Sequence, residues 1–471
     1  MSKPSVGIIG AGFSGMIAAI QVRTQLGITP KVFDYLPDVG GTWLANQYSG
    51  CACDIPSGLY NFSFALNPEW STTYSPQPEI YDYMRSVARQ HKMYDYTLFN
   101  TEVLSVNWLE ESKHYCGIGP LRIPHIPEEF KSFTGTTIHT AVWNPSMDFK
   151  DKIVAVIGNG ASAVQAIPCL QTKAKHLYSY QRSATWVAPR YQYKYPGFIK
   201  LLFRWFPILL RLQRYVLFLI HEATFPLFKN SRSLLARFVR WWFKVDMRLR
   251  LARRGRTDLV PVLTPDYAVG CKRIARSENY LEALASPNVT VKMGKITKVQ
   301  GQTIYHEDGS ETHADVLVLA SGFEVKGCLG NLKVHGRNGV ELNSLWSKND
   351  YPSTFKTVAI HNFPNFFLLL GPNSGLGHNS VLLMIEIQVK YTLDAIKYMI
   401  KNKLKALEPK LEHQNAFSQR MVKDMQGTTW LNGGCTSYYK ANGAVFALWP
   451  SSVISFWMEL GFNKKHFVQH V

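Results

Sequence analysis

The chain has 471 residues, 46% of them hydrophobic, and 52 Lys+Arg against 33 Asp+Glu give it a net charge of +19. That length is too great for one compact core and points to two or three domains. The seven cysteines (Cys51, Cys53, Cys116, Cys169, Cys271, Cys328 and Cys435) include no Cys-x-x-Cys pair, which argues against a zinc site and against a dithiol reductase. An odd, scattered set is also a poor disulfide framework and fits a reducing compartment. The start, Met1-Ser-Lys-Pro, has no basic stretch followed by an apolar run, so no signal peptide is read and a cytoplasmic location is expected.

Val6–Ile9 reads as a short buried strand, Gly10–Gly15 as a turn, Met16–Leu26 as a helix and Lys31–Tyr35 as the next strand. The turn is Gly10-Ala11-Gly12-Phe13-Ser14-Gly15. Its glycines allow a tight turn and the approach of a pyrophosphate to free N–H groups at a helix start. Asp34 closes the second strand 24 residues after Gly10, where a carboxylate accepts hydrogen bonds from a ribose diol.

The same unit returns further on. Ile153–Ile157 is a strand, Gly158-Asn159-Gly160-Ala161-Ser162-Ala163 a turn, Val164–Leu170 a helix and His176–Tyr180 a strand. Counting 24 residues from Gly158 reaches Arg182, not an acid. A guanidinium there suits a 2′-phosphate, with Ser183 beside it as a second donor. One ribose-diol reader and one phosphate reader make FAD at the first turn and NADPH at the second the natural assignment.

Between Phe198 and Arg256 stand fourteen Lys/Arg and two acids, Glu222 and Asp246, a net +12 from one segment that is also rich in Phe and Trp. Its apolar runs are too short to span a bilayer. Two readings stand: peripheral contact with a membrane surface, or, the favoured one, a helical subdomain covering a pocket while its Arg residues are solvated. Nucleic-acid binding is not expected, since no recognition motif accompanies the charge. Further along, Asp315–Gly322 is an apolar strand entering a small-residue turn, and a long helix runs from about Ser380 to Lys401. The expected fold is α/β. Two Rossmann-like dinucleotide-binding domains would comprise residues 1–144 with 326–471 (FAD) and 145–325 (NADPH), the latter carrying a helical insert at about 196–260.

Phe133-Thr-Gly135-Thr-Thr-Ile-His139-Thr-Ala-Val-Trp143 lies between the two units. It resembles the Phe-x-Gly-x-x-x-His-x-x-x-Trp fingerprint of type I Baeyer–Villiger monooxygenases. The related N-oxygenating flavin monooxygenases end the pattern in Tyr or Phe; Asn144 replaces the usual Pro or Asp. Other segments are similar to the family's: Gly40-Gly41-Thr42-Trp43 with Asn46, Asp54 and Tyr60; Val103; Gly270-Cys271-Lys272-Arg273; Gly371-Pro-Asn373; and Gly434–Tyr439.

The resemblance implies an NADPH- and O2-dependent FAD enzyme that oxidises a small hydrophobic substrate, by way of a flavin peroxide that must stay deprotonated to attack a ketone. Arg273 is the candidate fixed cation, because Arg does not lose its proton. Asp54 is its expected orienting partner. Lys272 is expected at the NADPH phosphate with Arg182, Asn373 on the flavin side, and His139 at a hinge rather than in chemistry. A protonated adduct would oxidise nitrogen or sulfur instead. The aromatic content hints at a bulky ketone of polyketide or terpenoid type.

Compared with the second unit, the first lacks a hairpin arm and most of an apolar strand after Trp108, where the family is twenty to thirty residues longer. This predicts an exposed sheet edge and weakened FAD binding, and with them a catalytically impaired relative as an alternative.

Overall fold

The computed structural model describes residues 4–108, 114–116, 123–324, 329–348 and 352–470. Two parallel sheets organise the chain. The first has the spatial order Ala359–Ile360, Phe363–Leu368, His114–Cys116, Gly7–Ile9, Lys31–Phe33, Thr97–Leu98. All its pairings are parallel except that of the two strands nearest the C-terminus of the chain. The second has the order Val289–Met293, His176–Gln181, Ile153–Ile157, Val316–Leu319, Thr136–His139, parallel throughout. Parallel strands are covered on both faces, which is why Val316–Leu319 is a continuous buried Val-Leu-Val-Leu run rather than an alternating one.

The two sheets repeat one plan. Each first strand, Gly7–Ile9 or Ile153–Ile157, sits between the strand that follows its helix and a strand from far along the chain. That reversal of direction leaves a crevice at the strand ends where nucleotides bind in such folds. The helices Phe13–Leu26 and Ala161–Gln171 start there, and the first packs against the long helix Val381–Lys401.

Two expectations are corrected. The strand thought mostly lost after Trp108 is present: His114–Cys116 pairs in parallel with Gly7–Ile9 on one side and Phe366–Leu368 on the other, so the sheet is continuous. Three residues suffice because the first strand offers only three to pair with. The hairpin arm is replaced by a different pairing, in which Ser105–Asn107 runs parallel to Lys333–His335. The rest of the stretch that looked shortened, 109–113 and 117–122, lies outside the described residues, as do the side chain of Cys116 and all of Cys328. The fingerprint strand Thr136–His139, placed above before the 144/145 boundary, pairs with Val316–Leu319 and so belongs to the second sheet.

The basic segment forms the helices Gly197–Trp205, Pro207–Glu222, Pro226–Lys229, Leu234–Ala252 and Leu259–Leu263, inserted between strands Val187–Ala188 and Ala275–Arg276. Arg250 fixes it to the second unit through two hydrogen bonds to Glu282, at 2.8 and 2.7 Å. Arg214 fixes it to the first by donating to the carbonyls of Leu59 and Asn61. No helix among the described residues is long and apolar enough to cross a membrane.

Candidate active site

A cleft of about 1450 Å³ opens between the two sheets, lined by both glycine turns, the segment Gly40–Ile55, Ala141–Trp143, Lys272–Arg273 and the C-terminal loops. Ordinary small-molecule pockets run to about 300–1,000 Å³. This cleft has room for more than one such ligand.

The first turn is built by close backbone contact. Gly10 sits at φ 101°, and a Cβ on Gly15 would fall 1.7 Å from the Gly10 carbonyl oxygen. Gly12 and Gly41 face each other so closely that a Cβ on Gly41 would stand 2.8 Å from the Gly12 Cα. The helix Phe13–Leu26 starts with no side-chain cap, leaving N–H groups open toward the cleft. Asp34 is buried; its Oδ2 accepts from the Ala11 N–H at 2.5 Å and its Oδ1 from the Leu36 N–H at 2.9 Å. An aromatic wall follows. Tyr60 packs edge-on against Phe13 and Trp43, with ring centroids 5.2 and 5.7 Å apart, and its hydroxyl accepts from the Trp43 Nε1. Thr42, Asn46 and Val103 line the same side.

At the second turn Gly158 has φ 107°, and the helix Ala161–Gln171 again starts without a side-chain cap. A Cβ on Gly160 would meet open space. Asn159 donates to the Gln181 side chain at 3.0 Å and to the Ser183 carbonyl at 2.6 Å. Arg182 is exposed on the cleft and has no ion pair or hydrogen bond among the described residues. Lys272 donates to the Ser183 hydroxyl at 3.0 Å and lies 4.8 Å from the centre of the Tyr267 ring. Burial, with the Arg182 charge adding to it, lowers its pKa. Two cations side by side, with Asp266 the lesser charge acting on Lys272, make an anion site.

Arg273 stands beside both halves. Its Nε and Nη2 donate to the two oxygens of Asp54, each at 2.6 Å. Burial alone would raise the Asp54 carboxyl, but the Arg273 charge and its hydrogen bonds hold it below the usual range. Asp54 in turn pushes the Arg273 guanidinium up, against the opposing effect of burial. The charged state of both is therefore locked.

Nearly every catalytic or cofactor-binding residue read from the sequence lines the cleft. Three of these do not. Gly15 and Ala163 are packing positions under their turns. Asn373, expected on the flavin side, is buried, and its amide donates to the carbonyls of Val445 and Leu448 in the C-terminal loop. His139 is buried behind the cleft at the end of its strand, its Nδ1 accepting from the Ala141 N–H, while Ala141–Trp143 line the cavity.

Sequence reasoning missed other features. Cys271, next to Lys272, is joined to Cys435, which corrects the expectation that the scattered cysteines form no disulfide. Their separation of 164 residues hid the pair; the fold brings the Arg273 loop against the loop carrying Tyr438 and Tyr439. Gln165 was also missed. It accepts from the Tyr48 hydroxyl at 2.7 Å and donates to the Ala52 carbonyl at 2.9 Å, tying the second unit's helix to the first unit's flavin-side segment. A glutamine on a helix carries no signal that could have shown this.

Residues 8–87 match a family described as NAD(P)-binding Rossmann-like domain. The chain is 36% identical over 469 residues to a Baeyer-Villiger monooxygenase of Pseudomonas aeruginosa, covering 94% of this chain and 87% of that one. It belongs to the Baeyer–Villiger monooxygenase family. A second such enzyme, from Streptomyces coelicolor, is also 36% identical, over 96% of this chain and 89% of its own length. The FAD-binding monooxygenase ktnD of Aspergillus niger is 31% identical over 98% of this chain and 80% of its own. Among solved structures, an oxidized steroid monooxygenase bound to NADP superposes with a TM-score of 0.86 at 26% identity, covering 99% of both chains. A cyclohexanone monooxygenase from Rhodococcus sp. Phi1 bound to NADP+ shares the fold, with a TM-score of 0.84 at 24% identity and full coverage of both chains.

The chain is accordingly a flavin-dependent monooxygenase with FAD and NADPH as cofactors, built on two dinucleotide-binding folds. Its own residues fit both groups. The paired turns leave a backbone cradle that a Cβ on Gly41 would fill, both helix starts lack a side-chain cap, and Arg182 has no ion pair among the described residues.

Proposed function

We propose that the chain oxidises a bulky hydrophobic ketone to an ester or lactone. In this reading the ketone, O2, NADPH and a proton give ester, NADP+ and water. The observation that carries it is the bidentate Arg273–Asp54 pair on the wall of a cleft reached by both glycine turns. FAD, when bound, supplies the electron transfer from NADPH to oxygen.

The residues supply the rest. Gly10, Gly12, Phe13, Ser14 and Gly41 would hold the FAD pyrophosphate and Asp34 its ribose, while Thr42, Trp43, Asn46, Tyr60 and Val103 enclose the flavin side. Gly158, Gly160, Ala161 and Ser162 would hold the NADPH pyrophosphate, with Arg182, Ser183 and Lys272 on its 2′-phosphate. Arg273 acts as a cation that does not lose its proton, and so stabilises negative charge near it without quenching it. Asp54 occupies Nε and Nη2, orients the guanidinium and leaves Nη1 without a hydrogen-bond partner among the described residues. Residues 1–144 and 326–471 form the FAD part and 145–325 the NADPH part, with strand Thr136–His139 counted in the second sheet. The segment 198–256 is the part fitted to peripheral membrane contact, since its outward apolar side chains lack protein cover.

The reading is tested by giving the purified protein NADPH, O2 and a panel of cyclic ketones and thioethers. Ester or lactone is expected by mass spectrometry. Sulfoxide with no ester from any ketone would overturn it.

A further inference from the structure

The helical insert turns one side inward and leaves a second apolar side with nothing on it. In the helix Pro207–Glu222, Leu210, Arg214, Leu217 and His221 face the protein. At about 100° per residue, Ile208, Leu212, Val216, Leu219 and Ile220 form a stripe on the opposite side, and all five are exposed, Ile208 to 67%. The helix Leu234–Ala252 repeats the arrangement. Ala236, Phe243, Met247 and Leu251 are buried, whereas Leu234 (81% exposed), Phe238, Trp241, Trp242 and Leu249 lie outward. Glu222 accepts from the backbone N–H of Ile454 at 3.1 Å, so the exposed Trp457 and Met458 sit near the end of the first of these helices. Scattered exposed hydrophobics are normal, but continuous stripes on successive helices mark an interaction surface.

Charge decides what covers it. Arg237, Arg240, Lys244 and Arg248 fall within one narrow sector of the helix Leu234–Ala252, between its buried face and its apolar stripe. Arg237, Lys244 and Arg248 have no ion pair or hydrogen bond among the described residues, and Arg240 contacts only the Asp266 carbonyl, at 3.4 Å. The last three of the four line a shallow concavity of about 550 Å³ in which Asp266 is the one carboxylate. The insert's own acids are engaged elsewhere: Glu222 with His378, Asn379 and Ile454, Asp246 with Arg250, and Asp258 with Arg256. A two-fold contact with a second copy would set this cationic row against itself. Nucleic acid would leave the aliphatic stripe without a partner.

We propose that the helices Pro207–Glu222 and Leu234–Ala252 lie in the surface of an anionic phospholipid membrane. Their apolar stripes enter the acyl region and the Arg237–Arg248 row sits at the phosphates. The inward side of Pro207–Glu222 holds, through Arg214, the carbonyls of Leu59 and Asn61, on either side of the cleft-lining Tyr60. The lipid surface is therefore one helix away from the flavin-side wall, where a hydrophobic ketone dissolved in the bilayer would be delivered. That delivery rests on the ketone reading; the docking does not.

The test is flotation of the purified full chain with vesicles of phosphatidylcholine, with and without phosphatidylserine, at low and high salt. Wild type should float with the anionic vesicles, roughly tenfold or more better than with the neutral ones, and salt should weaken it. Trp241→Ser with Trp242→Ser, and separately Lys244→Glu with Arg248→Glu, should each lose flotation about tenfold or more while keeping circular dichroism and bound flavin. Wild type that stays off anionic vesicles at low salt overturns the proposal. So do variants that float unchanged, or a stable wild-type dimer that the Trp variant splits. Flavin reduction by NADPH, read on the same samples, reports separately on the enzyme reading.

Discussion

The two dinucleotide units share a strand order and a glycine turn, yet they secure that turn by opposite means. In the first, the acid at the end of the second strand reaches back to the turn: Asp34 accepts from the Ala11 N–H. In the second, the turn residue reaches forward: Asn159 donates to Gln181 and to the Ser183 carbonyl. By strand register the counterpart of Asp34 is Gln181, which accepts from Asn159, and the next residue, Arg182, stands exposed with no ion pair or hydrogen bond among the described residues. One unit holds its turn with a carboxylate at the strand end, while the other uses a pair of neutral amides there and leaves the following position to a cation.

The largest expected effect lies where the units meet. Arg273→Ala should lower formation of oxygenated product by about 10²–10³ while NADPH still reduces the flavin in stopped flow; full product from this variant would refute the assignment. Next is the cradle of the first unit alone. Gly41→Ala adds a Cβ against the Gly12 backbone at a residue with φ 51°. It should give protein purified with little flavin, visible as lost yellow absorbance, whereas Gly160→Ala, facing open space, should keep its colour.

The comparison sharpens further at the strand ends. Arg182→Ala should raise the KM for NADPH by roughly ten- to a hundredfold and leave that for NADH nearly unchanged. An equal loss for both would mean the free guanidinium does not read the phosphate. The smallest effect concerns pH. Asp54 has a depressed carboxyl, so its contribution to stability is complete above the unfolded value of about 3.9 and is lost as pH falls through the lower folded value. The melting-temperature gap between wild type and Asp54→Asn should stay constant from about pH 5 upward and close in more acidic buffer. A gap that widens on acidification would show that the ion pair is not its source.

Much of this was legible in advance because it is local. The turns Gly10–Gly15 and Gly158–Ala163, the acid at 34 and the cation at 182 lie within thirty residues of one another in each unit, and helix and strand periods place them without knowledge of the rest. The partners of Asn373 were not legible, because a resemblance places a residue in a loop and does not say which way its amide points; it donates to the carbonyls of Val445 and Leu448. The strand His114–Cys116 was underestimated because a three-residue pairing leaves almost no hydrophobic pattern to read.

The order of residues along the chain determined two nucleotide folds, their differing preferences and the cationic Arg273, since each follows from side-chain chemistry at a fixed spacing. Only the tertiary structure decided what lies across long separations: Asp54 on Arg273, Cys271 on Cys435, Tyr48 on Gln165, and an insert with one apolar side covered and the other bare. Periodicity shows that a helix has apolar faces, but which face meets protein depends on where every other element packs.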